Sequence, residues 1–382
     1  MGARRILVAA AAALAAGALA LAGCGTTFDL PTQSGGRVIP PDGSYQFQAA
    51  WEGMAGVQDV LLTQGAGAQL FVLFNYGGAG FAPRGEVAEY VLVRPERYAN
   101  RPFAGLFNPV ALAAGNNRVF VLDAGDTCLA RRNPATQACD DTTGGWRLGI
   151  SDPDRYWQVR EYDVIGRGLG QFTDTTLAGV TGIAADAQGN VYVGGRAIIV
   201  LVNQDDSRLR YRLFQWRIYK YARGLRPDGK VDLNVLPPGA WHRDTTFVIE
   251  EGSGIGSVVE PRGLHWNAGG GNALYAADFG KNWVQKLADQ GIGVGYFQLD
   301  GAQTDTLLQG PNDVYADENG YIVLVDGGHR RVLRYGPGGQ YIQRVNTEGP
   351  PLVEPVAVAS NDSLAFVADR GAARILRYKR RQ

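Results

Sequence analysis

Short apolar runs that close on an acidic residue recur along the chain. Val119–Asp123, Leu274–Asp278, Ile322–Asp326 and Ala365–Asp369 are each followed at once by a glycine-containing turn. Leu70–Asn75 and Val191–Gly195 are looser copies. Apolar runs this short, bounded by turn residues and rich in β-branched and aromatic side chains, predict buried strands. The clearest copy extends from Gly310 to Tyr335. Pro311 opens a short strand, and Asp317-Glu318-Asn319-Gly320 has the composition of a hairpin turn. The apolar strand Ile322–Asp326 comes next, then an alternating strand, Arg331–Tyr335, and a fourth, Tyr341–Val345. One unit is therefore a four-stranded antiparallel meander.

Equivalent turn positions fall at Asn75, Asp123, Gly195, Asp278, Asp326 and Asp369, spaced by 48, 72, 83, 48 and 43 residues. Four strands repeating every 45 residues or so are the signature of a propeller blade. The expected fold is all-β, a six-bladed β-propeller over residues 45–382. The two long intervals assign insertions to about 125–157, 195–215 and 223–259. Within the second, Ile198–Val202 and Arg208–Tyr221 flank a Gln-Asp-Asp-Ser turn and predict an extended hairpin. The last unit stops after its third strand, Arg374–Tyr378, whereas Tyr45–Trp51 stands unassigned before the first opening strand, Gln58–Leu62. This N-terminal segment is expected to complete the last blade and close the ring, since closure removes exposed sheet edges. Deleting residues 45–51 is then expected to be harmful, and deleting 380–382 harmless.

Ahead of the repeats, Arg4 and Arg5 precede an unbroken apolar stretch, Ile6–Leu21. A charged start, a short apolar run and small residues at its end predict an export signal. The stretch is short for a membrane span, which needs roughly 20 residues. Leu21-Ala-Gly-Cys24 resembles the lipobox of bacterial lipoproteins. The resemblance implies that residues 1–23 are removed and that Cys24 carries acyl chains, making the membrane a partner through the N-terminal lipid. Gly25 after the cysteine implies an outer-membrane destination where the cell has one. The other reading is an ordinary export signal cut nearby, with Cys24 left as a thiol. Residues 24–44, rich in Pro, Gly, Ser and Thr, predict a flexible tether.

Removing residues 1–23 deletes two arginines and no acids, so the net charge goes from 0 to −2. No basic face is expected, which argues against a nucleic-acid partner. Gly numbers 53 of 382, about twice the usual share, as a fold with many turns requires. Cys128 and Cys139, in an exported chain, predict a disulfide that staples a surface loop.

The unit containing Gly320, Asp326, His329, Arg330 and Val332 resembles the NHL repeat, a family of six-bladed β-propellers. The units near 354–378 and 260–287 follow it with losses, Ala372 standing at the histidine position of one and Lys281-Asn282 in the other. The resemblance implies fold and is nearly silent on activity, because propellers host unrelated functions. It also implies a structural, turn-forming place for His329. The family includes a zinc-dependent amidating lyase, so the three histidines, His242, His265 and His329, raise a metal site as one option.

Blade geometry places Asp59, Asn108, Thr181, Arg262, Asn312, Asp313 and Glu354 on one rim of the central channel, and His265 on an inner strand facing it. Such oxygens with one arginine suit Ca²⁺ or a small polar ligand, and Zn²⁺ if a histidine joins them. The same residue types also cap strand ends. The recurring aspartates at 123, 278, 326 and 369 read as structural, since a catalytic residue need not recur in four blades. No Gly-x-Ser-x-Gly, His-Glu-x-x-His or phosphate-binding loop is present. The functional expectation is a monomeric, lipid-anchored protein of the bacterial cell envelope. It would act as a non-catalytic scaffold that binds protein or glycan through its insertion-bearing face, where Trp146, Tyr156, Trp157, Trp241 and Arg243 lie. The alternative is a metal-dependent lyase or lactonase-type hydrolase at the channel mouth, using Asp313, Glu354, Asn312 and His265.

Overall fold

The apolar runs lack alternation because both faces of each sheet are covered by neighbouring sheets. A computed structural model describes residues 43–63, 67–77, 85–98, 103–125, 157–202, 210–224, 240–267, 272–297 and 307–381. Cys24, Cys128, Cys139 and the segment holding Trp146 and Tyr156 lie outside the described residues. Strand β1 (Tyr45–Glu52) precedes a first blade of β2 (Val57–Leu62), β3 (Leu70–Asn75), β4 (Gly85–Tyr90) and β5 (Phe103–Leu106). The second holds β6 (Pro109–Gly115), β7 (Arg118–Asp123), β8 (Gln158–Asp163) and β9 (Gly168–Phe172). The third holds β10 (Leu177–Ala185), β11 (Val191–Val202), β12 (Arg210–Arg223) and β13 (Trp241–Ile249). The fourth holds β14 (Pro261–Asn267), β15 (Ala273–Asp278), β16 (Trp283–Ala288) and β17 (Gly293–Phe297). The fifth holds β18 (Pro311–Ala316), β19 (Ile322–Asp326), β20 (Arg331–Tyr335) and β21 (Tyr341–Arg344). The sixth has β22 (Pro355–Ser360), β23 (Leu364–Asp369) and β24 (Arg374–Arg380).

Each blade is an antiparallel four-stranded sheet, and β1 is the outer strand of the sixth, beside β24. The inner strands β2, β6, β10, β14, β18 and β22 neighbour one another in cyclic order, β22 returning to β2. This is a closed six-bladed β-propeller, sealed by the N-terminal strand. Trp51 in β1 is almost wholly buried and packs against Phe366 of the sixth blade (5.6 Å) and Tyr90 of the first (6.0 Å). Arg380 belongs to β24 and pairs with Tyr45, and the Arg381 amide donates to the Ser44 carbonyl at 2.8 Å. Removing 380–382 therefore strips the last rung of the closure and is not neutral.

β11 and β12 form the long hairpin expected, in register from Val191↔Tyr221 to Val202↔Arg210. The stretch 223–259, read as an insertion, contains β13, a regular outer strand. Trp157 is buried, and its indole donates to the Asp174 and Leu177 carbonyls at 3.0 and 3.2 Å. Trp241 stacks on Phe172 at 4.7 Å, while Arg243 lies over Tyr219 and donates to Thr176 Oγ1 at 2.8 Å. These three side chains hold the second and third blades together, so they do not form an open binding face.

The recurring aspartates each fold back onto the segment that leads into their own blade's inner strand. Asp123 accepts the amides of Phe107 and Asn108, both at 2.8 Å. Asp278 accepts that of Val259, Asp326 that of Gln309, and Asp369 those of Val353 and Glu354. Arg331 and Arg374 neutralise two of them at 2.7 and 2.9 Å, while Lys281 stands 4.0 Å from Asp278. A buried carboxylate is tolerated only with such donors. His329 Nδ1 lies 2.9 Å from Asp326 Oδ2 and is part of the same turn.

Candidate functional site in the central channel

Five of the six inner strands carry a register shift between their first and third residues, and β10 carries the equivalent one further in, after an earlier shift at Leu177/Gly179. The shifts fall at Val57/Asp59, Pro109/Ala111, Val180/Gly182, Pro261/Gly263, Pro311/Asp313 and Pro355/Ala357. Such a bulge re-aims the residue beside it. Counted from the residue that opens each shift, the result is two rings of side chains, one at the second position and one at the third.

The second-position ring binds blade to blade. The Thr181 hydroxyl donates to the Pro261 carbonyl of the next blade. Arg262 donates to Asn312 Oδ1 at 3.2 Å, and Asn312 Nδ2 to the Pro355 carbonyl at 3.0 Å. Arg262 is also held by Glu260 at 2.6 Å and lies over the Phe279 ring, 3.3 Å from its centroid. Asn108 and Glu354 sit just ahead of β6 and β22. Asn108 Oδ1 accepts Asn75 Nδ2 at 2.7 Å. Glu354 pairs with Arg370, whose hydrogen bond holds its carboxyl below the ordinary range, and Arg370 also reaches Gln58 at 2.8 Å. The polar groups of this rim are engaged with one another.

The third-position ring reads Asp59, Ala111, Gly182, Gly263, Asp313, Ala357. Its small members have a steric reason. A Cβ at Gly263 would stand 2.5 Å from Asp313 Cα, and one at Gly182 2.3 Å from the Arg262 carbonyl oxygen. The two aspartates make matching bonds. Asp59 accepts its own neighbour's amide, Val60, at 2.7 Å and Leu112 of the second blade at 2.6 Å. Asp313 accepts Val314 and, in the sixth blade, Val358, both at 2.8 Å. The first and fifth blades are separated by the sixth alone, and the charge on Asp313 is felt at Asp59. Both side chains are half-buried. Desolvation foremost pushes Asp313 up to about 7; desolvation and then the Asp313 charge push Asp59 well above the carboxylate range.

Two residues further along the strands, the channel is plugged. The Tyr315 hydroxyl reaches from the fifth blade to the Leu62 carbonyl of the first. His265 of the fourth blade packs on the Tyr315 ring at 4.1 Å and 37°. Burial drives the His265 pKa down to about 4, against a weaker opposing hydrogen bond to the Ala316 backbone. The imidazole is thus neutral at physiological pH.

Beyond this plug lies a cavity of about 700 Å³, lined by the closing ends of inner strands from five blades. His265 and Tyr315 form its floor; Thr63, Gln69, Asn116 and Asn117 are among its walls. The size is that of a small-molecule site.

The eight residues singled out in the sequence thus divide three ways. Asn108, Thr181, Arg262, Asn312 and Glu354 belong to the blade-to-blade belt. Asp59 and Asp313 form an electrostatically coupled pair, and His265 is on the cavity side of the plug. His242 is in β13 and His329 in the β19–β20 turn, so the three histidines stand in three different blades. Among the described residues, no group of three or more His, Cys, Asp and Glu side chains converges to hold a metal ion. Tyr315 escaped notice because it is embedded in the apolar triplet Val314-Tyr315-Ala316. Its signal was parity: it stands two residues after Asp313 and so shares that residue's side of the strand.

No protein-family model matches the chain. No curated protein matches it either. Solved structures similar to it include a protein of unknown function from Bacteroides caccae, at 13% identity and a TM-score of 0.43 over 79% of this chain and 82% of that one. Virginiamycin B lyase from Staphylococcus aureus is similar at 10% identity and a TM-score of 0.47, over 88% of this chain and 99% of the lyase. The β-propeller domain of Myceliophteria thermophila Cps50 (Swd1) is similar at 11% identity and 0.48, over 87% and 98%. Likeness at this level carries no functional assignment, and the fold assignment rests on the six sheets themselves.

Proposed function

We propose that this chain is an exported, lipid-anchored propeller of the NHL type that recognises an envelope protein or glycan and performs no chemistry on it. One observation carries the reading. The polar groups of the rim are spent on joining blades, while a cavity of about 700 Å³ opens at the opposite end of the channel, with no nucleophile–base pair among the described residues of its wall. A ring of six rigid sheets presenting loops around a concavity suits recognition. The lipobox-like Leu21–Cys24 and the tether after it support a place on the envelope, with Cys24 as the acylated residue. Metabolic labelling with a radioactive fatty acid tests the anchor. Wild type is expected to be labelled and membrane-bound, and Cys24→Ser unlabelled and released. Recognition is tested by passing envelope extracts and immobilised glycans over the 43–382 ring, which forms one compact unit. Retention of neither would overturn the reading.

A lyase or lactonase-type hydrolase acting in the channel is favoured by one observation, the half-buried and electrostatically coupled carboxyls of Asp59 and Asp313 on the inner strands. A carboxyl held at about 7 is poised to give and take protons at neutral pH. This reading predicts turnover of ester or lactone substrates that Asp313→Asn abolishes. Equal residual rates in wild type and variant would remove it.

A further inference from the structure

We infer that the β11–β12 arm joins two copies of this chain edge to edge, in place of the monomer expected from the sequence. This goes beyond the recognition reading and does not depend on it. The first support is where the arm loses its neighbours. β10 pairs with β11 no further than Ala197, and the Ile198 amide donates to the Thr176 carbonyl at 2.8 Å. β13 pairs with β12 only from Ile218 to Arg223. Among the described residues, Ile198–Val202 and Arg210–Gln215 therefore continue as a two-stranded ribbon in unbroken register. Ile198 turns its amide toward β10, so Val200 and Val202 turn theirs to the same side, where no described strand stands.

The second support is what the ribbon exposes. Val200 is 46% exposed, Leu201 47% and Leu213 44%. Val200 and Leu201 are consecutive and point to opposite faces, so apolar surface is open on both. The two edges differ in kind. β12 carries Arg210 and Arg212, and charges on an edge strand hinder further pairing. Ile198-Ile199-Val200-Leu201-Val202 has no charge, proline or glycine, which leaves the β11 edge fit to receive another strand. The third support is charge, and it selects a second copy. With Leu201 on a two-fold axis, antiparallel β11 edges set Val200 of one copy against Val202 of the other, apolar on apolar, exchanging their outward amides and carbonyls. The Asp205-Asp206 pair that follows one strand in sequence then falls at the foot of the other arm, beside Arg196. Arg196 is exposed, lies over the Phe214 and Trp216 rings at 5.3 and 5.7 Å, and joins none of the ion pairs among the described residues. A bilayer suits the arm less well, because the same two aspartates would have to enter it first.

The experiment is sedimentation equilibrium of the 43–382 ring up to about 100 µM, since so small a join belongs to the weak end of specific interfaces. The expected result is an apparent mass that climbs from one ring toward two. Val200→Lys places a charge on the open edge at an exposed position. It is expected to hold the ring at one copy throughout, with the melting temperature unchanged. Arg196→Glu is expected to weaken association about two- to fivefold, and adding Asp206→Lys to restore it. Leu201→Cys is expected to cross-link two copies under diamide, because it stands in a non-hydrogen-bonded pair whose Cα atoms approach closely. Ile292→Cys, exposed on another blade, is not. A single mass at every concentration with no Leu201→Cys cross-link overturns the inference, as does association that survives Val200→Lys. Binding of phosphatidylglycerol vesicles or of a foreign envelope protein through the arm of a monomeric ring overturns it too, by giving the edge to another occupant.

Discussion

At the scale of single residues, the channel contains two kinds of carboxylate with opposite characters. Asp326 is a structural anion. It is fully buried and receives the Gln309 amide at 2.8 Å and the Arg331 guanidinium at 2.7 Å, with His329 beside it. Replacing it by alanine strands a buried guanidinium and an amide, so Asp326→Ala should cost about 3–5 kcal/mol in urea unfolding. Asp313 is different, because no cation faces it and its charge is resisted. Its pKa in the folded ring, about 7, lies above the unfolded value near 4, so the folded state holds the proton longer. Asp313's contribution to stability is therefore complete below about pH 4 and is lost as pH rises through about 7. His265 runs the other way: its pKa falls from 6.5 to about 4 on folding, so its contribution is present above 6.5 and lost as pH falls toward 4. Melting temperatures of wild type and Asp313→Asn across this range separate the two, since His265 is common to both. The variant should show a shallower decline of stability with rising pH, Asp59 keeping its own share, and identical profiles would show that Asp313 carries no such charge penalty. Gly263 makes a related prediction. With 2.5 Å between an added Cβ and Asp313 Cα, Gly263→Ala should destabilise by about 1–3 kcal/mol, as overpacking does.

At the scale of strands, the continuous apolar runs and the alternating ones have different jobs. β3, β7, β15, β19 and β23 are covered on both faces, with hardly an exposed residue among them. Their runs could be read from sequence because a strand buried on both sides needs no polar positions. β1 shows the opposite, a mixed burial pattern, because it lies at the ring's outer edge. Its hold on the ring depends on Trp51, which bridges the sixth and first blades. Trp51→Ala should cost about 3–5 kcal/mol by thermal or urea unfolding. What the periodicity could not convey was β13. Residues 241–249 mix polar and aromatic side chains, and an outer strand needs no long apolar run. The same composition made Trp157, Trp241 and Arg243 resemble a contact surface, when their partners lie within the ring.

At the scale of the whole molecule, the closure joins the two ends of the chain in one sheet. β1 and β24 pair from Tyr45↔Arg380 to Glu52↔Arg374. Deleting residues 43–52 would expose the full edge of β24 and leave a gap between the first and sixth blades. The expected outcome is loss of cooperative unfolding together with association through the bare edge, visible by scattering. Deleting 380–382 removes one rung and should lower the melting temperature only slightly. A deletion of 43–52 that unfolded cooperatively as a monomer would contradict the role given to the strap.

Sequence alone determined the buried apolar strand of each blade, the turn that follows it, the number of blades and the closing partner. Each of these follows from short-range period, turn chemistry and the need to cover an edge. Only the tertiary structure decided what the channel is. Asp59 feels the Asp313 charge, Tyr315 meets Leu62 and His265 meets Tyr315 from different blades, at sequence separations that no local rule spans. The register shift within each inner strand settles which side chains point inward, and the ring's diameter settles which of them can reach across. Strand propensity is local, whereas the pairing of groups across a pore depends on all six sheets at once.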